Sequence, residues 1–312
     1  MVGRRISSAV VPNRTTLAAI SLAFAAFLFG ATFVVVKDAL DVLPPFGFVG
    51  WRFVIGAAVL LAISRPRSRR AATAGVIAGL WLFAGYACQT KGLVTTSASN
   101  SGLVTGLYVV FTPVFAAALR RRAPRPAVFA GAVIAFAGLA ALTLSDGFAF
   151  RSGDLWTIAC AVAFAGHIVY LSRVAHRFPV IALTGVQLAV TGVLGLALSA
   201  LVEDFTVPGT DMALPLLGTG IFISAGAFLL QVWSQTLLGP SRTALILALE
   251  PAFAALTAAV VLDERLGVRG AVGGALILVG IYVVLSGTGQ EDELPTTESD
   301  PSEWSARGWA DI

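Results

Sequence analysis

Three ionisable side chains stand inside stretches that are otherwise apolar. They are Arg52 within 44–64, His167 within 154–173 and Glu250 within 243–262. A guanidinium can clamp a carboxylate with two parallel hydrogen bonds. A carboxylate can take an amine or carry a proton, and an imidazole titrates near neutral pH. Placing such groups in a bilayer costs about 2.5–3.5 kcal/mol each on insertion scales, so they face a cavity or a partner. Arg52 lies eight residues from one end of its stretch, and Glu250 lies twelve from the corresponding end of its own. At a rise of 1.5 Å per residue the two depths differ by about 6 Å, within reach of long side chains. Two readings stay open: a substrate-binding and coupling pair, or a structural ion pair with Arg52 snorkelling outward. His167 is either a titrating group or a neutral packing residue.

Other polar residues share these stretches. Gln89, Asn100, Gln187, Gln231 and Gln235 either line a central path or bond one helix to another. Trp81, Tyr86, Tyr108 and Trp233, with Trp51 and Tyr170, can form a cavity wall, although membrane-interface positions are the commoner fate of such rings. Pro113 and Pro251 interrupt two stretches, where a missing backbone donor kinks a helix and can serve as a hinge. Cys88 and Cys160 have no metal-ligand or disulfide spacing, so no metal is expected. No glycine-rich nucleotide loop is present and no cofactor is implied. An enzyme would need a clustered acid–base or nucleophile set, and only Arg52, His167 and Glu250 are available.

These residues must be positioned by membrane helices. The chain is 57% apolar and 12% charged, against about 25% charged in soluble proteins. Ten apolar runs fall at 17–36, 44–64, 72–90, 98–119, 126–144, 154–173, 179–201, 213–238, 243–262 and 268–286. Each approaches the roughly 20 residues that cross a bilayer core. The runs are continuous rather than alternating, which excludes barrel strands. The first is also longer than a signal-peptide core of about 7–15 residues.

The gaps alternate in charge. Arg4, Arg5, Arg14, Arg65, Arg67, Arg69, Arg70, Arg120, Arg121, Arg122, Arg125, Arg173, Arg177 and Arg242 fall on one side. Asp38, Asp41, Asp146, Asp154, Glu203, Asp204, Asp211, Asp263 and Glu264 fall on the other. By the positive-inside rule the arginine side is cytoplasmic, with both termini there and the chain a multi-pass protein of the cell inner membrane. The net charge of +4 therefore describes topology rather than a nucleic-acid partner. Residues 1–14 read as a cytoplasmic tail. Residues 288–312, acidic and rich in Ser, Thr and Pro, read as a disordered one.

The two halves echo each other. Gly30-Ala-Thr-Phe-Val-Val-Val-Lys37 matches Gly166-His-Ile-Val-Tyr-Leu-Ser-Arg173, and Gly131 to Gly138 matches Gly273 to Gly280. Pro113 takes the place of Pro251. Five spans per repeat is an odd number, so residues 152–287 insert upside down relative to 15–145. The expected fold is all-α, ten transmembrane helices in two five-helix inverted repeats, the architecture of many secondary transporters. Three glycine pairs spaced by four, Gly75/Gly79, Gly102/Gly106 and Gly270/Gly274, are expected to pack helices closely.

The chain resembles the drug/metabolite transporter superfamily, in the form built from two EamA domains. The likeness is carried by Phe29-Gly-Ala-Thr-Phe-Val-Val-Val-Lys37, Pro45 to Arg52-Phe53, Thr96-Ser-Ala-Ser99, Leu249-Glu-Pro251, Asp263-Glu-Arg265 and Gly273 to Gly280. It covers roughly 15–287. In the first half Thr112-Pro113 stands where such proteins often carry Glu-Pro, and Arg120-Arg-Arg122 replaces an acidic residue. The resemblance implies a secondary transporter and no enzyme. Export of a small metabolite such as an amino acid by alternating access is the leading reading, with Glu250 as the coupling group and drive by protons or by exchange. A broad multidrug exporter is the rival on the same fold. A membrane-embedded enzyme or a non-transporting scaffold is the rival from another class. Oligomeric state is not legible.

Overall fold

A computed structural model describes residues 13–39, 42–96, 98–121, 123–143, 151–261 and 267–287. The side chains of 32–39, 98–100, 143, 258, 259 and 287 fall outside that description, as do the acidic tail and the loop Asp263-Glu-Arg265. The described residues are almost entirely helical. In chain order the helices are α1 (Arg14–Ala39), α2 (Pro45–Ile63), α3 (Arg69–Leu93), α4 (Ala98–Thr105), α5 (Tyr108–Leu119), α6 (Pro126–Thr143) and α7 (Ser152–Val174). There follow α8 (Val180–Val202), α9 (Ala213–Gly218), α10 (Phe228–Gln235), α11 (Pro240–Leu247), α12 (Glu250–Val261) and α13 (Val268–Gly287). Eight stretches are long and apolar enough to cross a membrane. The shorter apolar α6 and the α11–α12 pair complete ten spans.

The repeats are visible in how the helices pack. α6 lies on α13 and α2 lies on α8, so equivalent helices of the two halves meet each other. A Cβ added at Gly138 would lie 2.6 Å from the Gly273 carbonyl oxygen, and one at Gly273 would lie 2.7 Å from that of Gly138. Gly131 and Gly280 are related in the same reciprocal way, at 2.6 Å each. The first glycine of each motif therefore meets the last of the other. Equivalent helices run antiparallel, which is the signature of inverted repeats. Cross-packing follows the same symmetry: α3 covers α7 and α8, while the eighth span covers α1 and α2. Likewise α1 lies on α12 and α7 on α5.

Of the three glycine pairs, Gly75 and Gly79 pack as expected, against Val186 and Val190 of α8. Gly102 and Gly274 have nothing within 4 Å. Glycine spacing marks a smooth stripe, but only tertiary placement gives that stripe a neighbour.

The eighth span is irregular. Thr219–Ala227 is π-helical between α9 and α10, and Thr219 Oγ1 donates to the carbonyl of Pro215 at 2.7 Å. Wide π turns are uncommon and cluster at functional sites. Gly220 lets this stretch sit on α2, because a Cβ there would lie 3.0 Å from the Arg52 carbonyl oxygen.

At the end opposite the arginine-rich loops, Glu203 closes the first turn of α2. Its carboxylate accepts from the backbone N–H groups of Phe46 at 3.0 Å and Gly47 at 3.1 Å. The first amides of a helix have no partner within it, and a carboxylate there also complements the helix dipole. Glu203→Ala is expected to cost about 1–3 kcal/mol, the usual worth of hydrogen bonds to a charged group. A lowered unfolding temperature in detergent checks it, and an unchanged one rules the clasp out.

Candidate functional site

Two spans break at the centre of the molecule. The fourth consists of eight-residue α4 and twelve-residue α5, with Gly106 and Leu107 between them. The ninth repeats this plan, with eight-residue α11, twelve-residue α12 and Ala248 and Leu249 between. The breaks place Tyr108 at the start of α5 and Glu250 at the start of α12. Discontinuous helices with half-helix N-termini near the midplane are how many transporters build a substrate site. Pro251 is the second residue of α12, whereas Pro113 lies inside α5, further from its break. A proline forfeits the hydrogen bond to the carbonyl four residues back. At Pro251 that is Leu247, the last residue of α11. The break in the fourth span begins instead at Gly106.

Arg52 reaches this centre from α2. That helix opens on Pro45, whose fixed φ suits a first helical turn. Phe48 and Arg52 share a face at a spacing of four. The guanidinium is 7% exposed. Its Nη2 donates to the Tyr86 hydroxyl at 3.2 Å. It also lies over the rings of Phe53, Tyr86 and Phe48, at 5.0, 5.5 and 5.8 Å from their centres. Its Nε is buried and has no hydrogen-bond partner among the described residues. A buried donor left unmade costs about 1–3 kcal/mol, so this guanidinium is held for a ligand rather than satisfied by the fold.

Glu250 lies within electrostatic reach of Arg52, Tyr86, Tyr108 and Cys160. Among the described residues no contact ion pair joins Arg52 to Glu250. The two charges face one chamber from different repeats without neutralising each other. Gln89 Nε2 donates to Thr105 Oγ1 at 3.5 Å, and Thr105 Oγ1 is 3.9 Å from the Cys160 sulfur. Opposite ends of one small solute could engage Arg52 and Glu250, with Gln89, Thr105 and the tyrosine hydroxyls between.

The remaining polar residues form a second cluster nearer the arginine-rich end. Gln187 Oε1 accepts from His167 Nε2 at 2.9 Å. Gln235 Nε2 donates to the Ile168 carbonyl and to Ser172 Oγ, both at 2.9 Å, and Gln231 Nε2 donates to Gln235 Oε1 at 3.4 Å. Gln187 Nε2 is buried with no partner among the described residues.

Arg52, Tyr86, Gln89, Tyr108 and Glu250 are thus brought together, while His167, Gln231 and Gln235 sit apart from them. Trp81 is 38% exposed on the flank of α3 with its ring against Gly166, and Trp233 packs on the main apolar core. The side chain of Asn100, on α4, is outside the described residues. Sequence reasoning passed over Thr105, Cys160 and the rings of Phe48, Phe53 and Phe164. These residue types are common in membrane helices, and no local signal separates those facing the chamber from those facing lipid.

Residues 16–144 and 151–286 each match the EamA-like transporter family. An uncharacterized transporter of Archaeoglobus fulgidus is 32% identical over 265 residues, covering 85% of this chain and 84% of that protein. A WAT1-related chloroplastic protein of Arabidopsis thaliana is 26% identical over 278 residues, covering 83% of this chain and 67% of that protein. One solved crystal structure superposes with a TM-score of 0.71 at 26% identity, covering 86% of this chain and 96% of that one. With both halves matched and ten spans built around a shared polar centre, the chain belongs to the EamA-like transporter family and is a multi-pass membrane transporter.

Proposed function

We propose that this protein exports a small zwitterionic metabolite, an amino acid or a close relative, across the cytoplasmic membrane by alternating access. Arg52 takes the carboxylate and Glu250 takes the amine or exchanges it for a proton. Both termini lie in the cytoplasm, on the side of the arginine-rich loops. The observation that carries this reading is the pairing of a buried guanidinium, one nitrogen of which has no partner, with a carboxylate in reach but not in contact. Opposite charges held apart in a dry chamber suit a solute bearing both charges. The inverted repeats supply the mechanism, since two like halves facing opposite sides can exchange conformations around one site. The breaks before Tyr108 and Glu250, with Pro113 and Pro251 beyond them, are the hinges of that exchange.

The test is reconstitution in liposomes with a panel of labelled amino acids under an imposed proton gradient. Saturable flux of at least one, sensitive to the gradient or to a counter-substrate, is expected; absence of flux for every one overturns the proposal. Arg52→Gln is expected to raise the apparent KM for that substrate at least about tenfold, the equivalent of one charge-assisted hydrogen bond. The same variant is expected to leave uncharged analogues nearly unaffected. An equal loss for charged and uncharged solutes would show that Arg52 only supports the fold.

A further inference from the structure

Five aromatic rings from five spans form a connected layer just beneath the Arg52–Glu250 chamber. Phe29 of α1 meets Phe228 of α10 at 4.9 Å, and Phe228 meets Phe53 of α2 at 5.5 Å. Phe53 meets Tyr86 of α3 at 5.1 Å, and Tyr86 meets Phe164 of α7 at 5.6 Å. Both repeats contribute. The layer has polar groups on either side of it: Arg52, Glu250, Gln89 and Thr105 on one, and His167, Gln187, Gln231 and Gln235 on the other. Each side holds a buried donor without a partner, Nε of Arg52 and Nε2 of Gln187. The bodies of these rings offer a polar solute no hydrogen bonds, and stripping it of water without replacing them costs several kcal/mol. Such a solute passes only when a ring moves.

Phe164 is the ring placed to move. Along α7 it stands between Cys160, which faces the chamber, and His167, which faces the second cluster. Its socket is made by an absence on α3: a Cβ at Gly85 would lie 2.5 Å from Phe164 Cδ1. The ring is therefore seated in a notch rather than wedged between side chains of a core. We propose that Phe164 is the inner gate of the transport path. In this structure it is closed over the chamber, and on opening it hands the solute to the His167–Gln187–Gln235 cluster. The proposal rests on the transport reading for its purpose, but its test does not need the substrate.

Cys88 and Cys160 are replaced by serine, and Gln89→Cys places one thiol in the chamber. A membrane-impermeant thiosulfonate is then applied separately to each face of oriented vesicles. With Phe164 present, labelling from the cytoplasmic face is expected to be slow. Phe164→Ala is expected to raise that rate at least about tenfold, as the open population grows, while Phe164→Leu, which keeps most of the bulk, stays slow. Labelling from the opposite face serves as the control for folding. Should Phe164→Ala lose it, Phe164→Val makes the same comparison with a smaller truncation. Equal cytoplasmic labelling with and without the ring overturns the gate, as does fast labelling when Phe164 is intact. Failure of every amino acid in the flux assay would overturn the substrate assignment and leave the labelling result standing.

Discussion

Glu250→Gln is expected to abolish gradient-driven transport while the protein still folds and inserts. The change removes one charge and keeps the shape, so packing at the start of α12 is preserved. What it removes is the only partner of opposite sign within electrostatic reach of Arg52 among the shifts resolved for described residues. Taking one member from a buried charge pair costs about 3–5 kcal/mol, because the other is left uncompensated. At 1.4 kcal/mol per decade the lower figure corresponds to a loss of about a hundredfold. If Glu250 carries the coupling proton, exchange of labelled for unlabelled substrate survives in the variant and accumulation against a gradient does not. Wild-type transport with an unchanged dependence on pH would exclude the coupling role. Combining Glu250→Gln with Arg52→Gln closes a double-mutant cycle. Two residues acting on one solute give a double loss well short of the sum of the single losses.

Gly30→Val is expected to be the most damaging single change outside the chamber. Gly30 of α1 is buried against the first turn of α12. A Cβ added there would lie 2.5 Å from the Glu250 carbonyl oxygen and 2.8 Å from the Ala254 nitrogen. Both are backbone atoms, so no side-chain rotation relieves the clash, and α1 must withdraw from α12. Overpacking of this kind typically costs about 1–3 kcal/mol, and here the displaced element carries Glu250. The expected outcome is a lowered unfolding temperature in detergent together with loss of transport. Gly30→Ala is expected to show a smaller shift in the same direction. Wild-type stability and flux in Gly30→Val would mean that α1 is not seated as described. The contrast with Gly102, where nothing lies within 4 Å, supplies the control: Gly102→Ala is expected to leave both unchanged.

Much of this architecture is written in local sequence. Hydropathy is a property of each side chain against lipid, so ten apolar runs mark ten spans without knowledge of their neighbours. The charge of each gap is equally local. The repeat motifs Gly131 to Gly138 and Gly273 to Gly280 foretold two related halves, and the structure shows why the glycines recur, since each motif is the other's contact surface. Cost of burial singled out Arg52 and Glu250, because a charge in an apolar run is expensive wherever the run lies. Contact between spans is a different matter. Side chains in membrane helices are apolar toward lipid and toward protein alike, so periodicity does not say which face meets which helix. Only the tertiary structure set Arg52 and Glu250 on one chamber from opposite repeats, parted His167 and Gln235 from them by a layer of rings, and turned Trp81 outward. The helix breaks at Gly106-Leu107 and Ala248-Leu249 were likewise decided by packing, since Pro113 lies too far along α5 to mark its own.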